Sequence, residues 1–308
     1  MNLIICTSPL QMLIAERIIK QYSREHFEFL LITDIINNKY LHYFNQLSGI
    51  CNRSIIVKSY TLGIRGIYGY IFTIIKLKIK IRKKYTRIFL ASIDSSLIHN
   101  ILSFVKFTEL YTFDDGTINI SDNNVYKNSS NIITSRFYPI LKRIFNINYS
   151  IDRIKKESIK HYTIYKSNNN IIKNIYYLEL IDNHNVNLDS KVVSILLGQR
   201  VYESDYDNIE LIKRVISKYN IKYYFPHPKE TYFIDGVKYI ETDLIFEDFI
   251  KNINSNIILY TFFSSAALNV SGIKYIEVIS LKPGNLTDKR YLDCYRLFLQ
   301  NDINVYDV

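Results

Sequence analysis

Three short stretches of this chain place acid, imidazole and hydroxyl groups where apolar runs end. The first is Asp114–Gly116, the second is His227 with its two neighbouring prolines, and the third is Ser264–Ser265. Each preceding run has the length and composition of a buried β-strand. A general base, a proton donor and a phosphate ligand can all come from such strand ends.

The histidine stretch reads Tyr-Tyr-Phe-Pro-His-Pro-Lys-Glu and holds His227 between Pro226 and Pro228. Proline fixes its own φ angle and keeps the residue before it extended, so His227 is predicted at a strand end. A lone histidine is more often a packed or surface residue. The prolines and Lys229 favour a functional interpretation instead, in which a protonated imidazole donates to a departing phosphate.

The acidic stretch has three interpretations. Asp114, Asp115 and Gly116 have the composition of a simple turn. Two adjacent carboxylates after a buried strand also suit a general base, since burial and mutual repulsion raise one pKa. Metal binding is the least favoured, because the D-x-D pair of Asp205 and Asp207 precedes a predicted helix, where aspartate is a common cap.

The serine pair lies at a strand-to-helix turn. One hydroxyl is expected to cap the helix. The other, Ser264 or Ser265, together with free amides of the first turn, could bind a phosphate. Neither Gly-x-x-x-x-Gly-Lys nor Gly-x-Gly-x-x-Gly occurs in the sequence, which disfavours P-loop kinases and nicotinamide enzymes.

Alternating apolar runs and helical patterns position these residues. They predict an α/β fold of two doubly wound Rossmann-type domains that face a central cleft. The first domain is expected over residues 1–185 and the second over 186–308, with the terminal helix in the second domain or packed back on the first. Ser8 and Pro9 mark a helix start directly after the first strand.

Composition limits the function classes. The 308 residues are 48% apolar and carry a formal charge of +10, which favours acidic partners such as a nucleotide, an anionic membrane surface or nucleic acid. The three cysteines show neither zinc nor disulfide spacing. The apolar and then basic segment Gly63–Lys84 is interpreted as a buried helix with a solvated end, and alternatively as a peripheral contact with anionic lipid.

Taken together, the acidic pair with glycine, the His-Pro and the Ser-Ser resemble bacterial sialyltransferases. The opening stretch Cys6–Gln11, with the helix after it, resembles glycosyltransferase family 52 in particular. These enzymes sialylate lipooligosaccharide or capsular polysaccharide. The resemblance spans nearly the whole chain. It implies a GT-B-like fold, a CMP-sialic acid donor, and inversion without a metal or other cofactor.

The resemblance also implies roles for single residues. His227 assists the departure of CMP, and Asp114 or Asp115 deprotonates the acceptor hydroxyl. Asp205 is the alternative base, on a loop that also offers Glu203 and Asp207. Two further sets are implied: donor-binding residues Gly116, Pro228, Lys229, Glu247 (toward the ribose), Ser264 and Ser265, and an acceptor-side loop with Ser8, Pro9 and Gln11.

The expected partners are CMP-sialic acid and a galactose-terminated oligosaccharide, with nucleic acid excluded, and with membrane contact and a homodimer left open. The expected location is the cytoplasm, at or near the inner face of the membrane. Two alternatives remain: a GT-B transferase with another nucleotide-sugar donor, and a basic protein that binds nucleic acid or membranes. The scattered positive charges count against the second alternative.

Overall fold

The computed structural model describes residues 1–60, 66–121, 126, 137–166, 170–181, 189–228, 230–284, 286 and 288–308. The chain divides into two units, Met1–Leu180 and Ile181–Val308. The predicted boundary after residue 185 falls within 182–188, outside the described residues, as do residues 63–65 of the basic segment and Lys229.

Strands and helices alternate along the first unit. Its described elements are β1 (Asn2–Cys6), α1 (Pro9–Gln21), β2 (Phe27–Thr33), α2 (Asn38–Ser48), β3 (Arg53–Lys58), α3 (Ile67–Lys80), β4 (Arg87–Leu90), α4 (Ser96–Phe104), β5 (Glu109–Phe113), α5 (Tyr138–Ile144), α6 (Ile151–Glu157), β6 (Ser158–Thr163) and β7 (Ile175–Tyr177).

The first sheet is parallel and has the strand order β3-β2-β1-β4-β5-β6-β7. The order reverses between β1 and β4, so this sheet is doubly wound as predicted. Ligands of such sheets bind beyond the carboxyl ends of the strands at that reversal. Gln11 follows β1 and Ser92 follows β4, which places both at this point.

Residues 146–185 are more regular than their sequence indicates. They contain α6, β6 and β7, none of which the hydrophobic pattern predicts. The reason is that β6 buries polar side chains: His161 and Thr163 are fully buried and hydrogen-bonded to Asp114. A strand whose inward residues are polar lacks the alternation by which strands are recognised.

The second unit repeats the plan on a smaller scale. Its described elements are β8 (Asp189–Leu197), α7 (Asp205–Lys218), β9 (Tyr223–Phe225), α8 (Phe246–Phe249) continued by a 3-10 turn (Ile250–Asn252), β10 (Ser255–Thr261), α9 (Ser265–Val270), β11 (Ile276–Lys282), α10 (Lys289–Gln300) and β12 (Asn304–Asp307).

The second sheet is also parallel, in the order β12-β11-β10-β8-β9, and it reverses between β8 and β10. The sequence pattern also predicts a strand over Val237–Glu241, but in this range only Tyr239 pairs, through an isolated bridge with Tyr224. The terminal helix α10 packs on β11 and β12, where Tyr295 donates to the Leu281 carbonyl oxygen at 3.2 Å.

Candidate active site

Asp114 is an anchor at the end of β5. Its side chain is fully buried. Its Oδ1 lies 2.8 Å from His161 Nε2, and its Oδ2 accepts from Thr163 Oγ1 at 2.8 Å and from the Ile164 amide at 2.7 Å. Both oxygens are therefore occupied by β6 and the residue after it, so the geometry suits a fixed link between strands and leaves no route to an acceptor sugar.

Asp115 lies beside it in a different environment. It is partly exposed, and its carboxylate accepts from Gln11 Nε2 and, at 2.7 Å, from the Tyr126 hydroxyl. Burial of the carboxyl raises the pKa of Asp115 to about 6, although the bonds from Tyr126 and Gln11 favour the ionised form. Of the two predicted carboxylates, only Asp115 is partly exposed, so only Asp115 is accessible to a substrate.

Gln11 joins the strand ends around Asp115. It is fully buried on α1, where Ser8 caps the helix and Pro9 occupies the first turn as predicted. Its amide nitrogen also donates to Ser92 Oγ at 3.1 Å, and its oxygen accepts from the Thr7 amide at 2.6 Å. One side chain thus connects the ends of β1, β4 and β5.

One group near Asp115, Tyr126, escapes sequence analysis. The Tyr126 hydroxyl bonds Asp115 and also lies 3.3 Å from Asp94 Oδ1, and burial raises the pKa of Asp94 as well. Tyr126 comes from a segment without periodicity, which gives no signal of its burial. Gly116 has φ of +79°, a left-handed conformation that favours glycine, in keeping with the predicted turn.

A pocket of about 240 Å³ lies at the carboxyl ends of the second sheet. Its lining residues are Gln199, Arg200, His227, Glu230, Tyr232 and Phe263. They follow β8, β9 and β10, so the pocket occupies the reversal point of this sheet, as ligand sites of α/β proteins do. His227 is exposed at this pocket, two residues beyond the end of β9.

Gln199 fixes one wall of this pocket. Its side chain is almost fully buried, and its Oε1 accepts from the Phe263 amide at 2.7 Å and from Thr261 Oγ1 at 3.3 Å. It therefore ties the end of β8 to the end of β10. In the sequence, the only indication of this role is that Gly198 and Gln199 directly follow the first strand of the unit.

Ser264 and Ser265 follow Phe263 directly. Ser264 caps α9 and accepts from the Ala266 amide at 3.3 Å, which is the expected capping role. Among the described residues, no protein hydrogen bond is made by the Ser265 hydroxyl, which is partly exposed. Ser265 is thus the member of the pair that remains available to a ligand.

The remaining predicted donor residues differ in exposure. Pro228 is partly exposed, while Lys229 lies outside the described residues. Glu247 on α8 is almost fully buried and accepts from Asn269 Nδ2 on α9 at 2.8 Å. Burial raises the pKa of Glu247. Its predicted contact with a ribose stays a prediction.

Asp205 opens α7, capped by Ser204 and not by an aspartate as expected. Its carboxylate is about half exposed and lies 2.9 Å from a guanidinium nitrogen of Arg200, which also donates to the Glu203 carbonyl oxygen. Because Arg200 lines the pocket with His227, this ion pair stands at the pocket's rim. Asp205 is thus linked through Arg200 to the pocket that His227 lines.

Among the described residues, no three His, Cys, Asp or Glu side chains are grouped as metal ligands would be. No helix in the described part of the chain has the length and apolar character needed to cross a membrane.

Comparison with known proteins identifies the family. The model of glycosyltransferase family 52 matches residues 24–285. The chain belongs to glycosyltransferase family 52. Three relatives of this family 52 enzyme are sialyltransferases, and they confirm the predicted enzyme class.

The first is the CMP-N-acetylneuraminate:beta-galactoside alpha-2,3-sialyltransferase of Pasteurella multocida, 36% identical, with 100% of this chain and 99% of the relative covered. The N-acetyllactosaminide alpha-2,3-sialyltransferase of Haemophilus influenzae is 34% identical, with 99% of both chains covered. The enzyme of that name from Neisseria meningitidis is 32% identical, with 99% of this chain and 85% of the relative covered.

The fold has distant relatives as well. The crystal structure of Arabidopsis thaliana UGT89C1 complexed with UDP-L-rhamnose matches with a TM-score of 0.52 at 10% identity, covering 99% of this chain and 85% of the other. Together with the two parallel sheets, this likeness confirms the predicted GT-B-like fold class of the family 52 enzyme.

Proposed function

We propose that this family 52 enzyme transfers sialic acid from CMP-Neu5Ac to a galactose-terminated glycan of the bacterial surface, forming an α2,3 linkage with inversion. The observation that carries the proposal is full-length similarity to the Pasteurella multocida enzyme, whose name states that donor, acceptor and linkage. No metal or other cofactor takes part.

The donor binds at the carboxyl ends of the second sheet. Its phosphate contacts Ser265 and His227. Glu247 binds the ribose after a local movement exposes the Glu247 carboxylate. CMP-sialic acid ionises through an oxocarbenium-like state, as in glycoside cleavage. The leaving group is a phosphate, so it needs charge stabilisation, which a hydroxyl and a protonated imidazole supply.

Asp205 is the base that deprotonates the acceptor hydroxyl. It is exposed, it stands at the rim of the pocket that contains His227, and a surface ion pair such as the one with Arg200 opens at little cost. Asp114 is excluded by its burial. Asp115, whose oxygens are engaged by Gln11 and Tyr126, serves as the rival candidate.

The test measures transfer from CMP-Neu5Ac to lactose, with product mass and linkage from mass spectrometry and NMR. We expect Asp205→Asn to lower turnover about 10²- to 10⁴-fold while the Kd for CMP stays within about threefold. We expect Asp115→Asn to keep turnover within about tenfold. Loss confined to Asp115→Asn, with CMP binding intact, assigns the base to Asp115.

The donor class is tested separately. Calorimetric titration with CMP, UDP and GDP should give binding with CMP alone. If the protein prefers UDP or GDP and gives no product from CMP-Neu5Ac, the sialyltransferase proposal is wrong. The protein is then a transferase with another nucleotide-sugar donor.

One exposed face of α3 supports a proposed membrane contact. Tyr68, Phe72, Ile75 and Ile79 form an exposed stripe along this helix, here called the α3 stripe, next to exposed lysines such as Lys78. An apolar stripe beside basic residues fits an anionic bilayer surface. We expect the enzyme to work in the cytoplasm at the inner face of the membrane and to form a homodimer. Light scattering measures the oligomeric state directly.

A further inference from the structure

Glu230 lies in the donor pocket, yet the mechanism above gives it no role. The carboxylate ends the His-Pro-Lys-Glu stretch and lines the same pocket as His227. Its backbone closes the turn that carries the histidine, because the Glu230 amide donates to the His227 carbonyl oxygen at 2.9 Å. The turn and the histidine therefore move together.

The side chain of Glu230 fastens this turn to the core. Its Oε2 accepts from the Tyr224 hydroxyl at 2.5 Å. Tyr224 is fully buried in the hydrophobic core of the second unit and packs edge-on against the Tyr239 ring at 5.2 Å. A bond from a fully buried residue gives the turn a rigid support, which a surface bond would not.

Gly198 is shaped to admit this pair. A Cβ atom at Gly198 would lie 2.8 Å from Glu230 Oε2 and closer still to the Tyr224 hydroxyl. Any larger residue would thus displace the bond. Gly198 precedes Gln199, which bonds the end of β10, so the Tyr224–Glu230 bond is packed against the same wall that shapes the pocket.

We propose that Glu230 is a positioning residue that fixes His227 toward the donor phosphate through its bond to Tyr224. The inference rests on the proposed function. Since His227 acts as CMP departs, loosening the turn should lower turnover more than donor binding.

Ionisation of Glu230 supplies a second measurement, the pH dependence of ligand binding, which a purely structural role would leave unchanged. Burial raises the pKa of Glu230 to about 7, against the opposing effect of the bond from Tyr224. Ionisation above that pH puts a negative charge into a pocket meant for a phosphate. Among the described residues, the titratable and charged groups that face Glu230 are Tyr224, His227, Tyr232 and Tyr239 from the β9 side and Arg200 from the β8 side.

The first test is a double-mutant cycle. We expect Glu230→Ala to lower kcat about 10- to 100-fold with little change in the donor KM. In a His227→Ala background the same change should cost less than about twofold, because a residue that acts through His227 has nothing left to position. Glu230→Gln, which keeps an acceptor for Tyr224, should restore most of the loss. The matched control is Glu241→Ala, an exposed carboxylate outside the pocket.

The second test needs no activity. Calorimetry should show that wild-type affinity for CMP weakens between about pH 6 and pH 8 more than that of Glu230→Gln, because only the wild type gains a carboxylate charge. Parallel pH dependences, or an equal cost of Glu230→Ala in both backgrounds, overturn the inference while sialyl transfer stands. Absence of CMP binding to the wild type overturns the proposed function and this inference with it.

Discussion

The substitution Asp114→Ala tests whether Asp114 stabilises the fold or acts as the catalytic base. The change removes the acceptor of two buried donors, His161 Nε2 and Thr163 Oγ1, and of the partly buried Ile164 amide. Each unpaired buried donor costs about 1–3 kcal/mol, and breaking a buried charged network costs about 3–5 kcal/mol in total. For a unit of this size, that lowers Tm by roughly 10 °C.

The assay is differential scanning calorimetry of wild type, Asp114→Ala and the control Asp205→Ala. The control removes an exposed carboxylate whose pair with Arg200 is worth at most about 1 kcal/mol, so its transition should barely move. Initial rates are measured at a temperature where both variants are folded. If Asp114→Ala keeps the wild-type Tm and still loses turnover, the anchor role is refuted and Asp114 returns as a base.

Four further outcomes are expected. His227→Ala should lower turnover about 10²- to 10⁴-fold in a folded protein, and near-normal rates would remove the imidazole from the mechanism. Transfer should survive excess EDTA, and loss that Mg²⁺ or Mn²⁺ restores would make the enzyme metal-dependent. Because the folded pKa of Asp115 is raised from 3.8 to about 6, its ionisation destabilises the fold as pH rises through that interval. Asp115→Asn should therefore gain stability relative to wild type as pH rises from about 4 to 6 and keep that gain at higher pH, as urea denaturation at each pH can measure. Phe72→Glu together with Ile79→Glu should abolish cosedimentation with anionic phosphatidylglycerol vesicles, and unchanged binding would exclude the α3 stripe as the contact.

Much of the fold is predictable from local pattern. Apolar runs such as those of β1, β5 and β10 mark buried parallel strands, and Ser8 and Ser264 cap the helices that follow them. The alternation of strand and helix implies parallel sheets, and parallel sheets place ligands at carboxyl strand ends. Such features depend on neighbours within a few residues, so they can be read from the sequence.

Tertiary structure decided what each polar residue does. Asp114 and Asp115 are adjacent in sequence, yet β6 occupies the first with His161 and Thr163, while Gln11 and Tyr126 leave the second partly exposed. None of these partners is close to the acidic pair in sequence except Tyr126, whose surrounding sequence has no hydrophobic periodicity. Hydrogen bonds across the sheet leave no periodic trace.

Glu230 and Gln199 give the same result in the second unit. The sequence places Glu230 three residues after His227 but shows neither the bond to Tyr224 nor the space that Gly198 leaves for it. Gln199 reaches Phe263 across more than sixty positions of chain. The sequence by itself determined which strand ends carry chemistry. Only packing of those ends against one another decided which side chains are buried anchors and which face the ligand, because burial and hydrogen bonding depend on residues distant in sequence.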